Sequence, residues 1–264
     1  MGQMIATTRN KLVKELLQLQ KKAKYRREQK CFVIEGRKMY METPPEQIEQ
    51  IVVSRTFSKQ PENQGLLVNR DYVVAEDFVF EACSETKTPQ GILCVVRQPE
   101  YSFSELLKQK NPMFLVLEDL QDPGNLGTIM RTAEGAGATA LLLGKGCVDL
   151  YNPKTVRSTM GSIYRVPFLY FEDLKEVLME LKKNDILVCA AHLKGKKYYD
   201  RVNYKEGGVA FLVGNESRGI SEELVEQAEL LIKIPMAGRV ESLNASISAG
   251  ILMYEAYRQR RRKE

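Results

Sequence analysis

Apolar residues in the second half of this chain come in short, nearly unbroken runs. Met113–Leu117, Ala140–Leu143, Ile186–Ala191, Val209–Val213 and Leu231–Ile234 are of this kind. Continuous rather than alternating runs mark strands covered on both faces. Helical spacing separates them. It predicts helices over 126–136, stopped by Gly137, near 153–160, over 174–183, after Ser221 with Glu222 and Glu223 in its first turn, and over 244–259. This alternation predicts an α/β fold with a mostly parallel sheet.

The first half reads as a smaller α/β unit. Leu12, Leu16, Leu17 and Leu19 recur among lysines, predicting an amphipathic helix over 8–29. Strands are expected at 31–34, 51–53, 72–75 and 92–96, with a helix after Gly36 and a turn at 88–91. Pro99, Pro112 and the polar residues between them suggest a linker over 101–112 that holds a short helix near 104–110. The expected division is a domain over 1–100, that linker, and a second domain over 113–264.

Composition narrows the class. The chain has 264 residues, 44% of them hydrophobic, enough for a substantial core. No run of eighteen apolar residues occurs, so no membrane span is expected, and Met1–Asn10 lacks the apolar stretch of a secretory signal. The five cysteines form no C-x-x-C pair and His192 is the single histidine, which argues against structural zinc and a disulfide framework. Cys94 and Cys189 sit in strand-like runs and are expected as buried thiols. A cytoplasmic protein without a metal site is the expectation. Charge is uneven. Residues 1–40 hold eleven lysines and arginines against three acids, and Arg258, Arg260, Arg261, Arg262 and Lys263 crowd the end. Clustering of this kind suits a polyanion, although a solvated helix face would look the same.

Candidate chemistry lies in three blocks. The first is Asn125-Leu-Gly-Thr-Ile-Met-Arg131, the second Gly214-Asn-Glu-Ser-Arg-Gly219, and the third Ile234-Pro-Met-Ala-Gly238 running on to Ser242-Leu-Asn-Ala-Ser246. Each places glycines and polar side chains where a strand ends and a helix starts, the edge at which open α/β sheets bind ligands. Asn125 at a helix start with Arg131 farther along suits a phosphate, though an ordinary capping asparagine would look alike. Gly214 and Gly219 would let backbone approach a ligand. Ser242 or Asn244 should cap the last helix, whose Ala245, Ser246, Ser248, Ala249 and Gly250 allow close packing. Neither G-K-[ST] nor G-x-G-x-x-G is present in these blocks, which disfavours a phosphate-loop or dinucleotide enzyme. Tyr198, Tyr199 and Tyr204 stand among Lys194, Lys196, Lys197 and Arg201, an arrangement that could stack bases or simply form a solvated loop.

Together the blocks resemble those of the SPOUT class of methyltransferases, and within it the SpoU/TrmH family of RNA ribose 2′-O-methyltransferases. The matching residues are Asn125, Gly127 and Arg131; Gly214, Glu216 and Gly219; and Ile234–Gly238 with Ser242–Ser246. The resemblance covers roughly 110–260. The first hundred residues are similar to the ribosomal-protein-like (L30e-like) substrate-binding domain of many members, through the basic helix and Phe32–Gly36. This family implies a carboxyl-terminal trefoil knot, a homodimer, and S-adenosylmethionine held by Gly214, Ile234, Met236, Leu243 and Asn244. It implies a catalytic set of Asn125, Arg131, Glu216, Ser242 and Asn244, acting on ribosomal RNA. The same chemistry on transfer RNA, or a catalytically silent ribosome-assembly factor, remain as alternatives. Two departures stand out: Ser217 and Arg218 where glycine often follows the glutamate, and Ala245 where valine is frequent.

Overall fold

The computed structural model describes residues 4–261, so Arg262 and Lys263 of the basic terminus lie outside the described residues. In chain order the first elements are β1 (Met4–Ile5), α1 (Lys11–Lys21), α2 (Ala23–Gln29), β2 (Cys31–Glu35), α3 (Arg37–Glu42), β3 (Ile48–Ser54), α4 (Arg55–Lys59), α5 (Pro61–Leu67), β4 (Val73–Ala75), α6 (Asp77–Cys83) and β5 (Ile92–Arg97). There follow α7 (Phe103–Leu107), β6 (Met113–Leu117), α8 (Pro123–Ala136), β7 (Ala140–Gly144), α9 (Pro153–Thr159), β8 (Phe168–Phe171), α10 (Leu174–Lys183) and β9 (Ile186–Ala191). The last are β10 (Lys197–Tyr198), β11 (Gly208–Val213), α11 (Glu222–Gln227), β12 (Leu230–Lys233) and α12 (Ala245–Arg260).

Two compact units result. The first comprises Met1–Pro99 and Asp149–Tyr164; the second comprises Glu100–Val148 and Arg165–Glu264. In the first, the strand order is β1-β4-β3-β5-β2, with β5 antiparallel to both neighbours. The helix predicted over 8–29 is two helices, broken at Lys22, whose backbone is extended. Arg26 supplies the reason. Its guanidinium donates to the carbonyls of Leu19 (2.6 Å) and Gln20 (2.8 Å), the acceptors that a continuous helix would give to Ala23 and Lys24. Arg26 also pairs with Asp149, Nε to Oδ2 at 2.9 Å, while being buried itself. Tyr151 lies 4.7 Å from the Phe32 ring, centroid to centroid. The segment 149–164, expected with the carboxyl-terminal domain, thus packs as part of the first unit.

The second unit is a seven-stranded parallel sheet in the order β10-β12-β9-β11-β6-β7-β8. On one face Leu178 and Leu181 of α10 and Leu224 of α11 pack into a core with Phe114, Val116 and Leu212. Elsewhere α12 packs on both α8 and β11, burying Leu252, Met253 and Ala256. Gly137 ends α8 in the left-handed conformation, as its position in the sequence predicts. Residues 101–112 do not form a free linker. Phe103 lies 5.2 Å from Phe171, and Leu106 joins the core. Strand β8 went unforeseen because it is a four-residue edge strand with Tyr170 exposed, and short apolar runs are ambiguous by periodicity. Cys94 and Cys189 are buried and unpaired as expected, and burial pushes the Cys189 thiol up to about 12.

Arg26→Ala should destabilise the first unit by about 3–5 kcal/mol, the range for removing one partner of a buried ion pair. Arg26→Lys should recover little, because one ammonium cannot copy the forked guanidinium. Urea unfolding checks this, and a midpoint unchanged in Arg26→Ala would contradict the role given to Arg26.

Candidate active site

The site begins where β6 ends. Asp122 caps α8, its Oδ1 accepting the Asn125 N–H at 2.7 Å, and Pro123 occupies the first helical turn. Asn125 therefore lies inside the first turn and is not the cap. Its side chain is left to reach outward. Nδ2 donates to Glu216 Oε1 at 3.0 Å, and Oδ1 accepts from Asn244 Nδ2 at 3.0 Å. Asn244 Oδ1 in turn caps α12, accepting the Ser246 N–H at 2.8 Å and its hydroxyl at 2.6 Å. Asn244, not Ser242, is thus the cap. One carboxamide joins all three sequence blocks, tying the loop after β11 to the starts of α8 and α12.

The loop after β11 is folded back on itself. Asn215 and Gly219 exchange both main-chain hydrogen bonds, at 3.0 and 2.9 Å. Asn215 Oδ1 accepts the Ser217 N–H at 2.9 Å, and its Nδ2 donates to the Asp119 carbonyl at 2.8 Å. A side chain at Gly214 would collide with the Gly219 carbonyl. Gly214 is therefore explained by backbone meeting backbone rather than by a ligand's approach. Gly219 has φ +71°, the left-handed region. Arg218, one of the two departures from the family pattern in this loop, is held by Asp119 at 3.2 Å. Asp119, Asp122 and Asn215 were not among the candidates. Asp122 had a signal, since an aspartate directly before a proline marks a helix start.

A cleft of about 340 Å³ opens beside this junction, lined by Gly214, Glu216, Ile234, Met236, Ser242 and Leu243 among others. Its size falls in the small-molecule range. Asn244 does not line it. From Pro235 to Leu243 no residue makes a hydrogen bond to any described residue, so main-chain donors and acceptors stand free beside the apolar side chains of Ile234, Met236 and Leu243. Such a lining suits a flat heteroaromatic ring gripped by backbone groups. His192 also lines the cleft; its Nδ1 accepts the Lys194 N–H at 3.2 Å, which leaves the ring proton on Nε2 in the neutral form. Arg131 is not brought to the cleft lining. It is exposed on α8, about 9 Å along the axis from Asn125, and forms no ion pair with a described residue.

Two family models match this chain. A family model described as the SpoU rRNA Methylase family matches residues 112–254. One described as the MRM3-like substrate binding domain matches residues 10–94. The 23S rRNA (guanosine(2553)-2′-O)-methyltransferase RlmP of Bacillus subtilis is 34% identical over 252 residues, 95% of this chain and 97% of that protein. The putative TrmH family tRNA/rRNA methyltransferase YacO of the same organism is 34% identical over 65% of this chain and 71% of its own. The crystal structure of an AdoMet-bound rRNA methyltransferase from Sinorhizobium meliloti matches with a TM-score of 0.84 at 30% identity, over 97% of each chain.

Replacing Asn125 by aspartate keeps the acceptor for Asn244 but sets a carboxylate against Glu216. Asn125→Asp should therefore loosen the 215–219 loop and the start of α12 more than Asn125→Ala does. Amide hydrogen exchange at Ser217, Arg218 and Ser246 reads the effect.

Proposed function

Because this chain belongs to the SpoU rRNA Methylase family, we propose that it transfers the methyl group of S-adenosylmethionine to a ribose 2′-hydroxyl of ribosomal RNA. The observation that carries this reading is the cleft at the carboxyl ends of parallel strands, walled by the second and third blocks and locked to the first through Asn125. Ile234, Met236 and Leu243 would hold the adenosyl part, with the free main-chain groups of 235–243 reading its edge. When bound, the group supplies a methyl already activated by a sulfonium.

The side chains then divide by whether they are free. Asn125 and Asn244 spend their polar atoms on this junction and Glu216 spends one carboxylate oxygen there, so their part is to position the loops that shape the cleft. Ser242 is exposed on the cleft wall and can hydrogen-bond the incoming ribose. Arg131 clamps a phosphate of the target nucleotide. A guanidinium keeps its proton, so Arg131 is not the base. Exposed lysines of α1 and α2, Lys14, Lys21 and Lys24 among them, supply the first unit's charge for structured RNA. Cytoplasmic residence fits five unpaired cysteines and the absence of a helix long and apolar enough to cross a membrane among the described residues.

A second copy of the chain completes the assembly. Between Ala245 and Tyr257 the exposed positions of α12 carry large apolar or aromatic side chains: Ile247, Tyr254 and Tyr257 are 52%, 47% and 41% exposed. Small residues border them: Gly135 faces the Tyr254 hydroxyl and Gly250 faces Thr132. This surface suits a homodimer in which Arg131 of one copy serves the cleft of the other.

Four measurements test this reading. With labelled S-adenosylmethionine and ribosomal RNA from cells lacking the gene, label should enter an alkali-resistant 2′-O-methylated dinucleotide. Arg131→Ala should slow single turnover on saturating RNA by about 100-fold, the scale of losing one well-placed charge donor. Cofactor binding by calorimetry without transfer to any ribosomal RNA would point instead to a silent assembly factor, and near-normal rates in both Arg131→Ala and Arg131→Lys would remove the clamp. Light scattering should give twice the chain mass for the native protein and a single chain mass for an Ile247→Glu, Tyr254→Glu variant. A dimer that survives both substitutions must use another face.

A further inference from the structure

We propose that residues Leu193–Tyr198, together with Lys233, form a platform for single-stranded RNA at the mouth of the cleft. This rests on the methyl-transfer reading, and it adds a binding surface within the second unit.

The geometry starts at the cleft wall. His192 and Leu193 line the cleft, and Leu193 is 65% exposed. The chain then turns tightly, Gly195 N–H to His192 carbonyl at 2.9 Å. A side chain at Gly195 would come within 2.7 Å of the Ile232 carbonyl carbon, so the turn lies against β12. From there β10 adds to the sheet edge, with Lys197 beside Ile232 and Tyr198 beside Lys233. The position of Tyr198 is thus set by main-chain pairing. Its ring is 44% exposed, with Lys233 Nζ 5.0 Å from the centroid.

Around that ring the charge has one dominant sign. Lys194, Lys196 and Lys197 are exposed. The one acid in the stretch 193–201, Asp200, has Arg201 at 3.8 Å. Lysines alone would be the ordinary protection of an edge strand against pairing. That purpose does not call for an exposed tyrosine with an ammonium over it. An aromatic face flanked by cations is what unpaired nucleotides use: the base stacks on the ring while its phosphates meet the lysines. Bases in a duplex hide those faces, so the platform selects unpaired RNA next to the target nucleotide. The lack of acids and the polyanionic substrate favour RNA over a protein partner.

The test uses the full-length protein and a fluorescein-labelled 12-nucleotide oligouridine, with a hairpin of equal length as comparison. Tyr198→Ala and Tyr198→Leu should each weaken oligouridine binding about tenfold, within the range for losing one stacked base. Tyr198→Phe should keep it. Replacing Lys194, Lys196 and Lys197 by glutamine should reduce the slope of log affinity against log salt by about 2, roughly 0.7 for each phosphate contact on a single strand. S-adenosylmethionine binding, read by calorimetry, should stay unchanged in all of these, which shows the cleft is intact. Unaltered oligouridine affinity in Tyr198→Ala, or equal loss for the hairpin, would overturn the platform. The outcomes separate from those of the enzyme reading. A native protein that methylates ribosomal RNA while ignoring Tyr198→Ala sinks only the platform. A native protein that transfers no methyl but binds oligouridine through Tyr198 sinks only the enzyme.

Discussion

The second unit's site depends on the side-chain amide of Asn125. A carboxamide donates to a carboxylate through its nitrogen while accepting from another amide at its oxygen, so one side chain serves both partners. Leucine would fill the space and do neither; aspartate would accept but repel Glu216. Because Asn244 caps α12 with the oxygen left over from this contact, the chain of bonds runs Glu216, Asn125, Asn244, α12. The first two bonds are exposed, the third is half-buried, and each is worth about 1 kcal/mol on its own. Their value lies in being shared, since releasing Asn125 frees two loops that no other hydrogen bond joins to each other among the described residues.

Sheet order brings these distant residues within reach. β6 and β11 are adjacent, though 91 residues separate Asn125 from Glu216. The chain leaves β6 toward β7 and β8, then returns to build β9, β11 and β12 on the other side. The reversal falls between β6 and β11, whose following loops Asn125 ties together, and the cleft lies beside them at the carboxyl ends of β11, β9 and β12. Helix α12 then comes back from the β12 side to pack on α8. Its amino terminus ends up beside Asn125, which is what lets Asn244 close the junction.

Much of this was legible. Continuous apolar runs placed β6, β7, β9, β11 and β12, because a strand covered on both faces leaves no polar alternation to misread. Gly137 marked a helix end through the left-handed backbone it adopts, and Ser221 stands at the start of α11 without a side-chain capping bond. What escaped reading was non-local. Lys22 looks like any helical lysine; the break there comes from Arg26 taking the carbonyls of Leu19 and Gln20. The placement of 149–164 in the first unit turns on Asp149 meeting Arg26 and Tyr151 meeting Phe32, partners over a hundred residues away. Among the candidates, the motifs identified Asn125, Glu216 and Asn244, but only coordinates show that their polar atoms are committed to one another.

That commitment changes what the motif residues can be asked to do. A side chain holding two partners cannot also take a proton from substrate without releasing one. The groups with a polar atom left over are the Ser242 hydroxyl, the second carboxylate oxygen of Glu216, the His192 ring and the main chain of 235–243 on the cleft wall, with the Arg131 guanidinium exposed on α8. The architecture therefore invests in placement, with the most rigidly connected polar residues spent on holding loops and the free ones on contact. A reaction whose leaving group is already activated needs little more from its protein than alignment and exclusion of water. The placement of spent and free polar atoms in this site matches that requirement.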